Sequence, residues 1–342
     1  MMGPMADHDA LRRRLCALQD RVLAAYLTAR AAGRTTSIEV VGRTPADVSY
    51  GLDRIADAVL LPWFEEYWPA GEPVLVVSEG LDEPVAFGHG DPQWTCIVDT
   101  VDGTRGLMYD KRAAWSLAAI APAGGSLADV VATAMTELPP TKQWASDRYS
   151  TVRGGGPRGV VGTRTDVRRA GGPHSPLRAT PSTATGLEHG FASFARFLPA
   201  GKALVAEFES RVWEALHGRP AIADLPIFED QYLATGGQFH ELLVGHDRLL
   251  GDVRPLALRT LGLPATLVCH PYDCCTALLL EEAGCVVVGT DGGPLDVPLD
   301  TTTPVSWIGV ANRELADRVL PAVFDALANF FPRAGPFGSL RV

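Results

Sequence analysis

The stretch Ile97-Val98-Asp99-Thr100-Val101-Asp102-Gly103-Thr104 is the part of this 342-residue chain on which its fold class turns. It closes an apolar run, Trp94 to Val98, that reads as a buried strand. Two carboxylates three residues apart follow, and then Gly-Thr. A bend at the strand end turns both acids toward one point. Glycine permits the tight turn and leaves a backbone N–H unshielded for an anion. Hard divalent cations take oxygen ligands, Mg²⁺ a few carboxylates at about 2.0–2.1 Å together with water and substrate phosphate. The same string also fits a polar β-turn, where Asp and Gly are common. An EF-hand is excluded, because the further acids of that loop do not follow.

Two more acids occupy similar places. Glu79 follows the valine-rich run Pro73–Ser78. Asp273 follows the apolar run Ala265–Cys269, read as a strand, and heads a helix expected over Tyr272–Ala283 and ended by Gly284. Alone, Glu79 fits a solvated loop and Asp273 a helix cap. Together, Glu79, Asp99, Asp102 and Asp273 all follow apolar strands. Acids at adjoining strand ends of one sheet repel strongly unless cations join them.

The rest of the chain alternates between periods. Leu11, Leu15, Leu18, Val22 and Tyr26 mark one face of a helix over 6–32, and Leu52, Ile55, Val59 and Trp63 mark a second. Trp115–Ala121 and Val130–Leu138 read as strands. Residues 150–190 are rich in Gly, Pro, Ser and Thr and read as loop, so the expected division is 1–150 and 151–342. Beyond it come helices at Ala203–Leu216 and Ala311–Phe331 and a strand at Cys285–Gly289. Helices followed by a run of strands indicate an α+β chain.

Composition narrows the function. With 46% hydrophobic and 20% charged residues the chain can bury a sizeable core, which excludes disorder. Thirty basic against 40 acidic residues leave a net charge of −10, the wrong sign for a general nucleic-acid binder. No apolar run approaches the roughly 20 residues of a membrane span, and the N-terminus lacks a secretory signal pattern. The cysteines, Cys16, Cys96, Cys269, Cys274, Cys275 and Cys285, form no C-x-x-C pair and read as reduced thiols of a cytosolic protein. Cys274 and Cys275 open the expected helix beside Asp273, where a lowered thiol pKa would invite oxidation; buried packing is the plainer reading. Gly154-x-Gly156-x-x-Gly159 matches the dinucleotide fingerprint only as a string, because Pro157 interrupts it. No P-loop and no nucleophile elbow is present.

Four blocks in order carry a resemblance. Ser78-Glu79 is similar to the Glu-Glu element, and Asp99-Thr100-Val101-Asp102-Gly103-Thr104 to the Asp-Pro-Ile-Asp-Gly-Thr element, of the magnesium-dependent, lithium-sensitive phosphatase superfamily that contains inositol monophosphatase. Tyr272-Asp273, leading into Leu278–Gly284 and then Asp291–Asp296, resembles its Trp-Asp helix and following strand. Arg43–Asp53 resembles an early loop ending in Asp. The departures are Gly80 in place of a second acid, Thr100 in place of Pro, nine rather than ten residues from Asp273 to Glu282, and a basic group at Arg105, Lys111 and Arg112.

The resemblance implies a layered αβαβα sandwich and two or three Mg²⁺ ions held by Glu79, Asp99, the Val101 carbonyl, Asp102 and Asp273. It implies that the Gly103 and Thr104 N–H groups cradle phosphate, and that Thr104, polarised by Asp53, activates water together with the Glu79 side of the site. Arg105, Lys111 and Arg112, a departure from the resemblance, read either as solvated loop residues or as ligands of a second phosphate. Gly236, Gly237 and Asp247, in the segment Ala234–Arg248 at about the place of the family's substrate-facing loop, would face substrate hydroxyls; close helix packing for the two glycines and a solvated ion pair for Asp247 are the equal alternatives. The implied activity is Mg²⁺-dependent hydrolysis of a small phosphorylated polyol, inositol monophosphate first, by direct attack of water. Alternatives are a 3′-phosphoadenosine 5′-phosphate phosphatase, a fructose-1,6-bisphosphatase, another sugar phosphatase, or a degenerate member that only binds. A cytoplasmic homodimer without membrane or nucleic-acid partners is implied as well.

Overall fold

The computed structural model describes residues 7–35, 40–43, 48–169, 171–219 and 224–331; Met1–Ala6 and part of the early loop, 44–47, lie outside them. Helix α1 (His8–Ala31) starts at Asp7, whose carboxylate accepts the Ala10 N–H at 3.1 Å. Its expected stripe, from Leu11 to Tyr26, is buried. Gln19 lies in that stripe with its amide satisfied: it donates to the Ser116 and Ala134 carbonyls at 2.8 Å and accepts from Thr136 Oγ1 at 2.7 Å.

A ribbon, β1 (Val40–Arg43) and β2 (Val48–Tyr50), leads into α2 (Gly51–Tyr67). Then come β3 (Val74–Ser78), β4 (Val85–Phe87), β5 (Trp94–Asp102), α3 (Thr104–Met108), β6 (Ala114–Pro122), β7 (Ala132–Leu138), β8 (Ala145–Val152), α4 (Gly156–Gly159), β9 (Val161–Asp166) and β10 (His174–Leu177). Strands β3 to β10 build one sheet in the order β10-β9-β8-β7-β6-β5-β3-β4. All neighbours are antiparallel except β3 and β5, which are parallel.

The second half supplies β11 (Gly190–Phe194), α5 (Lys202–His217), β12 (Ile227–Phe228), α6 (Thr235–Leu243), β13 (Asp247–Asp252), α7 (Arg254–Thr260), α8 (Ala277–Ala283), β14 (Val286–Gly289), β15 (Trp307–Val310) and α9 (Arg313–Phe330). Its sheet runs β12-β11-β13-β15-β14. Side chains alternate across the large sheet as period two requires. Cys96 and Val98 of β5 pack with Leu15, Leu18 and Phe64 of α1 and α2, whereas Ile97 joins Phe239 and Leu242 of α6 and Leu279 of α8 on the other face. Trp307 continues that central core to the second sheet, whose outer face meets α5 and α9 through Phe208 and Val319. The result is the expected αβαβα stack of layers.

Three readings are corrected. Residues 150–190 are not all loop: β9 and β10 extend the large sheet to Leu177. Both strands are mostly polar, β10 is the largely exposed edge strand and contains Pro176, and β9 beside it is only partly covered, so they lack the apolar alternation that marks a covered strand. Ala265–Cys269 is irregular, not a strand; Leu267 has φ +56° and the segment pairs with no described strand. The helix expected from Tyr272 starts only at Ala277, after a run of turns. The glycine string is packing chemistry: the Gly154 N–H donates to Glu282 Oε1 at 2.7 Å and the Gly156 N–H to Oε2, pinning the β8–β9 connection to α8. No described helix is long and apolar enough to cross a membrane.

Candidate active site

Strands β3 and β5 run parallel with Ser78 opposite Val98, so Glu79, just past the end of β3, and Asp99 of β5 lie side by side at the same level of the sheet. In a regular strand Asp99 and Asp102, an odd number of residues apart, would face opposite sides. A bulge prevents this. Asp99 pairs with Leu117 and Asp102 with Trp115, so three steps on β5 match two on β6 and both acids share one side. Gly103 then takes φ +97°, open to glycine at little cost, and turns the chain into α3.

The acids are held by the backbone. The Val101 N–H donates to Asp99 Oδ1 at 2.9 Å, the Gly236 N–H to Asp102 Oδ2 at 2.5 Å, and the His270 N–H to Asp273 Oδ2 at 2.6 Å. One carboxylate oxygen from each of Asp99, Asp102 and Asp273 lies within 4.8 Å of the others. Glu79 and Val101 line the same cavity, as do Asp53, Gly103, Thr104 and Arg105. Thr104 Oγ1 lies 2.6 Å from Asp53 Oδ1 and 2.9 Å from the Val101 carbonyl, while Asp53 Oδ2 accepts the Tyr50 N–H at 2.6 Å.

Asp99 is buried, and burial raises its pKa well above the carboxylate range; Glu79, Asp102 and Asp273 add like-charge repulsion. Buried carboxylates that disfavour one another and offer only oxygen donors suit a hard divalent cation. Cys275 follows the plainer of its two readings. It is fully enclosed ahead of α8, and burial pushes its thiol far up, with Cys274 and Asp99 adding to it, so it is inert packing.

The other expected contributors divide between the site and its surroundings. A Cβ on Gly237 would stand 2.2 Å from Tyr232 Cε1, so that glycine serves close packing, whereas Gly236 reaches the site through its N–H. Asp247 opens β13, five strand steps, about 17 Å, from the cavity end of that strand. Arg112 pairs with Asp230 at 2.5 Å and lies over the Tyr232 ring at 4.9 Å. Arg105 stacks over Tyr50 at 5.4 Å and does border the cavity. Arg254, Phe197 and Leu198 also line it, and nothing in the sequence singled them out.

Two departures meet in one residue. Asp57, one turn beyond Asp53 on α2, accepts the Thr100 hydroxyl at 2.6 Å, and a Cβ on Gly80 would stand 2.3 Å from its Oδ2. Gly80→Ala therefore lowers stability by about 1–3 kcal/mol, and Asp57→Ala in the same chain restores most of the loss in a calorimetric melt.

Asp247 carries a pH signature. Burial, then Glu241 and Asp230, raise its pKa to about 7, with Arg112 opposing. A carboxyl raised in the fold binds its proton there more tightly than in the unfolded chain. Its contribution to stability therefore falls as pH rises from about 4 to about 7 and is level above, with a ceiling of about 4 kcal/mol. Asp247→Asn should melt above the parent at pH 8 and with it at pH 4.

No protein-family model matches the sequence, and no curated protein matches it. Solved structures do. The extragenic suppressor protein SuhB of Bartonella henselae aligns at TM-score 0.61 and 16% identity, over 92% of this chain and 98% of its own. Leishmania major fructose-1,6-bisphosphatase aligns at 0.65 and 12%, over 93% and 95%. Inositol monophosphatase from Anabaena sp. aligns at 0.56 and 15%, over 93% and 94%. The chain shares their fold across nearly its whole length.

Proposed function

We propose, from the fold shared with the inositol monophosphatase and fructose-1,6-bisphosphatase structures, that this chain is a Mg²⁺-dependent phosphoric monoester hydrolase. The carrying observation is the gathering of Asp99, Asp102 and Asp273, far apart in sequence, beside Thr104 and its Asp53 partner. Glu79, Asp99, the Val101 carbonyl, Asp102 and Asp273 are the residues that would hold the metal. When bound, Mg²⁺ supplies neutralisation of phosphoryl charge and acidifies the attacking water.

The chain's own groups do the rest. The Thr104 hydroxyl donates to Asp53 Oδ1, which leaves its lone pairs to accept a hydrogen bond from the attacking water and directs a proton toward the carboxylate. The Gly103 and Thr104 N–H groups lead the first turn of α3, where no intrahelical acceptor reaches them, and can take phosphate oxygens. Phosphoryl transfer asks little covalent chemistry of a protein, so positioning and charge carry the rate.

The substrate class is a small phosphorylated polyol or sugar, with inositol monophosphate the expectation from the sequence. The same resemblance carries the expectations of a homodimer, which light scattering tests, and of a cytoplasmic place. The deciding experiment is phosphate release from a panel of inositol, sugar and nucleotide phosphates. Release in MgCl₂ that EDTA abolishes supports the reading; none from any ester refutes it.

A further inference from the structure

Arg254 stands where the second sheet meets the cavity. It opens α7 directly after β13 and is 7% exposed. Its Nε lies 3.0 Å and its Nη2 2.6 Å from the Asp252 carboxylate, while Nη1 donates to the Leu267 carbonyl at 2.7 Å. The guanidinium lies 4.2 Å over the Phe197 ring. Held on one edge by a carboxylate, on one face by an aromatic ring and at one tip by a carbonyl, it has a single fixed pose. A guanidinium has five N–H groups. These contacts use Nε–H and one N–H of each Nη, leaving a second N–H on each Nη without a protein acceptor among the described residues. The same side chain lines the cavity with Asp273, Phe197 and Leu198.

A buried Arg–Asp pair stabilises a fold little better than apolar residues of the same volume. Its value here lies in the donor edge it offers. Arginine carries donors only and keeps its charge at every working pH, so it suits anionic oxygens better than sugar hydroxyls. The phosphate cradle at Gly103 and Thr104 and the acids Glu79, Asp99 and Asp102 come from the first sheet. Arg254 and the apolar wall of Phe197 and Leu198 come from the second, where the part of the substrate that does not react would lie.

We infer that Arg254 is a specificity-determining residue that binds a second anionic group on the substrate, with Asp252 positioning it. This rests on the phosphatase reading and deepens it, from a polyol monophosphate to a phosphate ester carrying a further phosphate.

The test compares fructose 1,6-bisphosphate with fructose 1-phosphate. The parent should favour the bisphosphate by about tenfold or more in kcat/KM, as a charge-assisted hydrogen bond warrants. Arg254→Met with Asp252→Asn, which leaves no unpaired buried charge, should raise KM for the bisphosphate and bring the ratio toward one. Arg254→Lys should keep part of the preference, and it serves alone should the double variant fail to fold. A parent ratio near one, a ratio unchanged in the variants, or an equal fall in kcat for both esters overturns the inference; the last would place Arg254 on the reacting phosphate. Should the parent release phosphate from neither, the wider ester panel still decides the phosphatase reading, and binding decides the role of Arg254. Calorimetric titration with the same two sugars then decides on Arg254: tighter binding of the bisphosphate, lost in the variant, supports its role, and equal affinities overturn it.

Discussion

Asp99→Asn removes most phosphate release, roughly 10³-fold or more, and yet in EDTA the variant melts at or above the parent. Both effects come from one charge. Asp99 is buried, its carboxylate is disfavoured by burial and by Glu79, Asp102 and Asp273, and its Oδ1 accepts the Val101 N–H. Asn retains the shape and the acceptor oxygen while removing the repulsion, so the metal-free fold gains. Loss of the same charge weakens the site for a divalent cation and forfeits several kcal/mol of transition-state stabilisation. Added MgCl₂ should raise the parent's melting temperature, because a ligand that binds only the folded state stabilises it, and should leave the variant almost unmoved. Near-normal turnover in Asp99→Asn, or a clear fall in its metal-free melting temperature, would reject this account of the site.

Thr104→Val separates the hydroxyl from the cations. Valine fills the same volume but cannot donate to Asp53 Oδ1 at 2.6 Å or accept a hydrogen bond from water. A positioned proton-transfer group contributes about 10²–10⁴-fold, so kcat should fall in that range. The Mg²⁺ midpoint should hold, since the carboxylates are untouched, and Thr104→Ser should recover much of the rate. Asp53→Asn should cost a similar factor, and the double variant little more than either alone, because groups acting as one unit are not additive. A Thr104→Val enzyme impaired only through Mg²⁺ affinity would move Thr104 from the chemistry to the metal site.

Much of the layering was legible because burial leaves a periodic trace. Leu11 to Tyr26 repeat every three or four residues, and Val74–Ser78 and Trp94–Val98 are short apolar runs, so α1, β3 and most of β5 are marked in the sequence itself. The mostly polar outer strands β9 and β10 carry no such trace. The approach to Asp273 carries a misleading one, since an apolar run of strand length there is irregular backbone.

The site divides along the same line. Local order along the chain determined that a strand ends in two acids and a Gly-Thr turn, since backbone conformation and side-chain chemistry are written within eight residues. Only the tertiary structure decided that a bulge on β5 faces Asp99 and Asp102 the same way, and that β3 lies parallel to β5. It alone decided that Asp57 fills the space Gly80 leaves and that Arg254 reaches the cavity. Those contacts join residues distant in sequence, and their free energy depends on register and packing between layers, which no single segment contains.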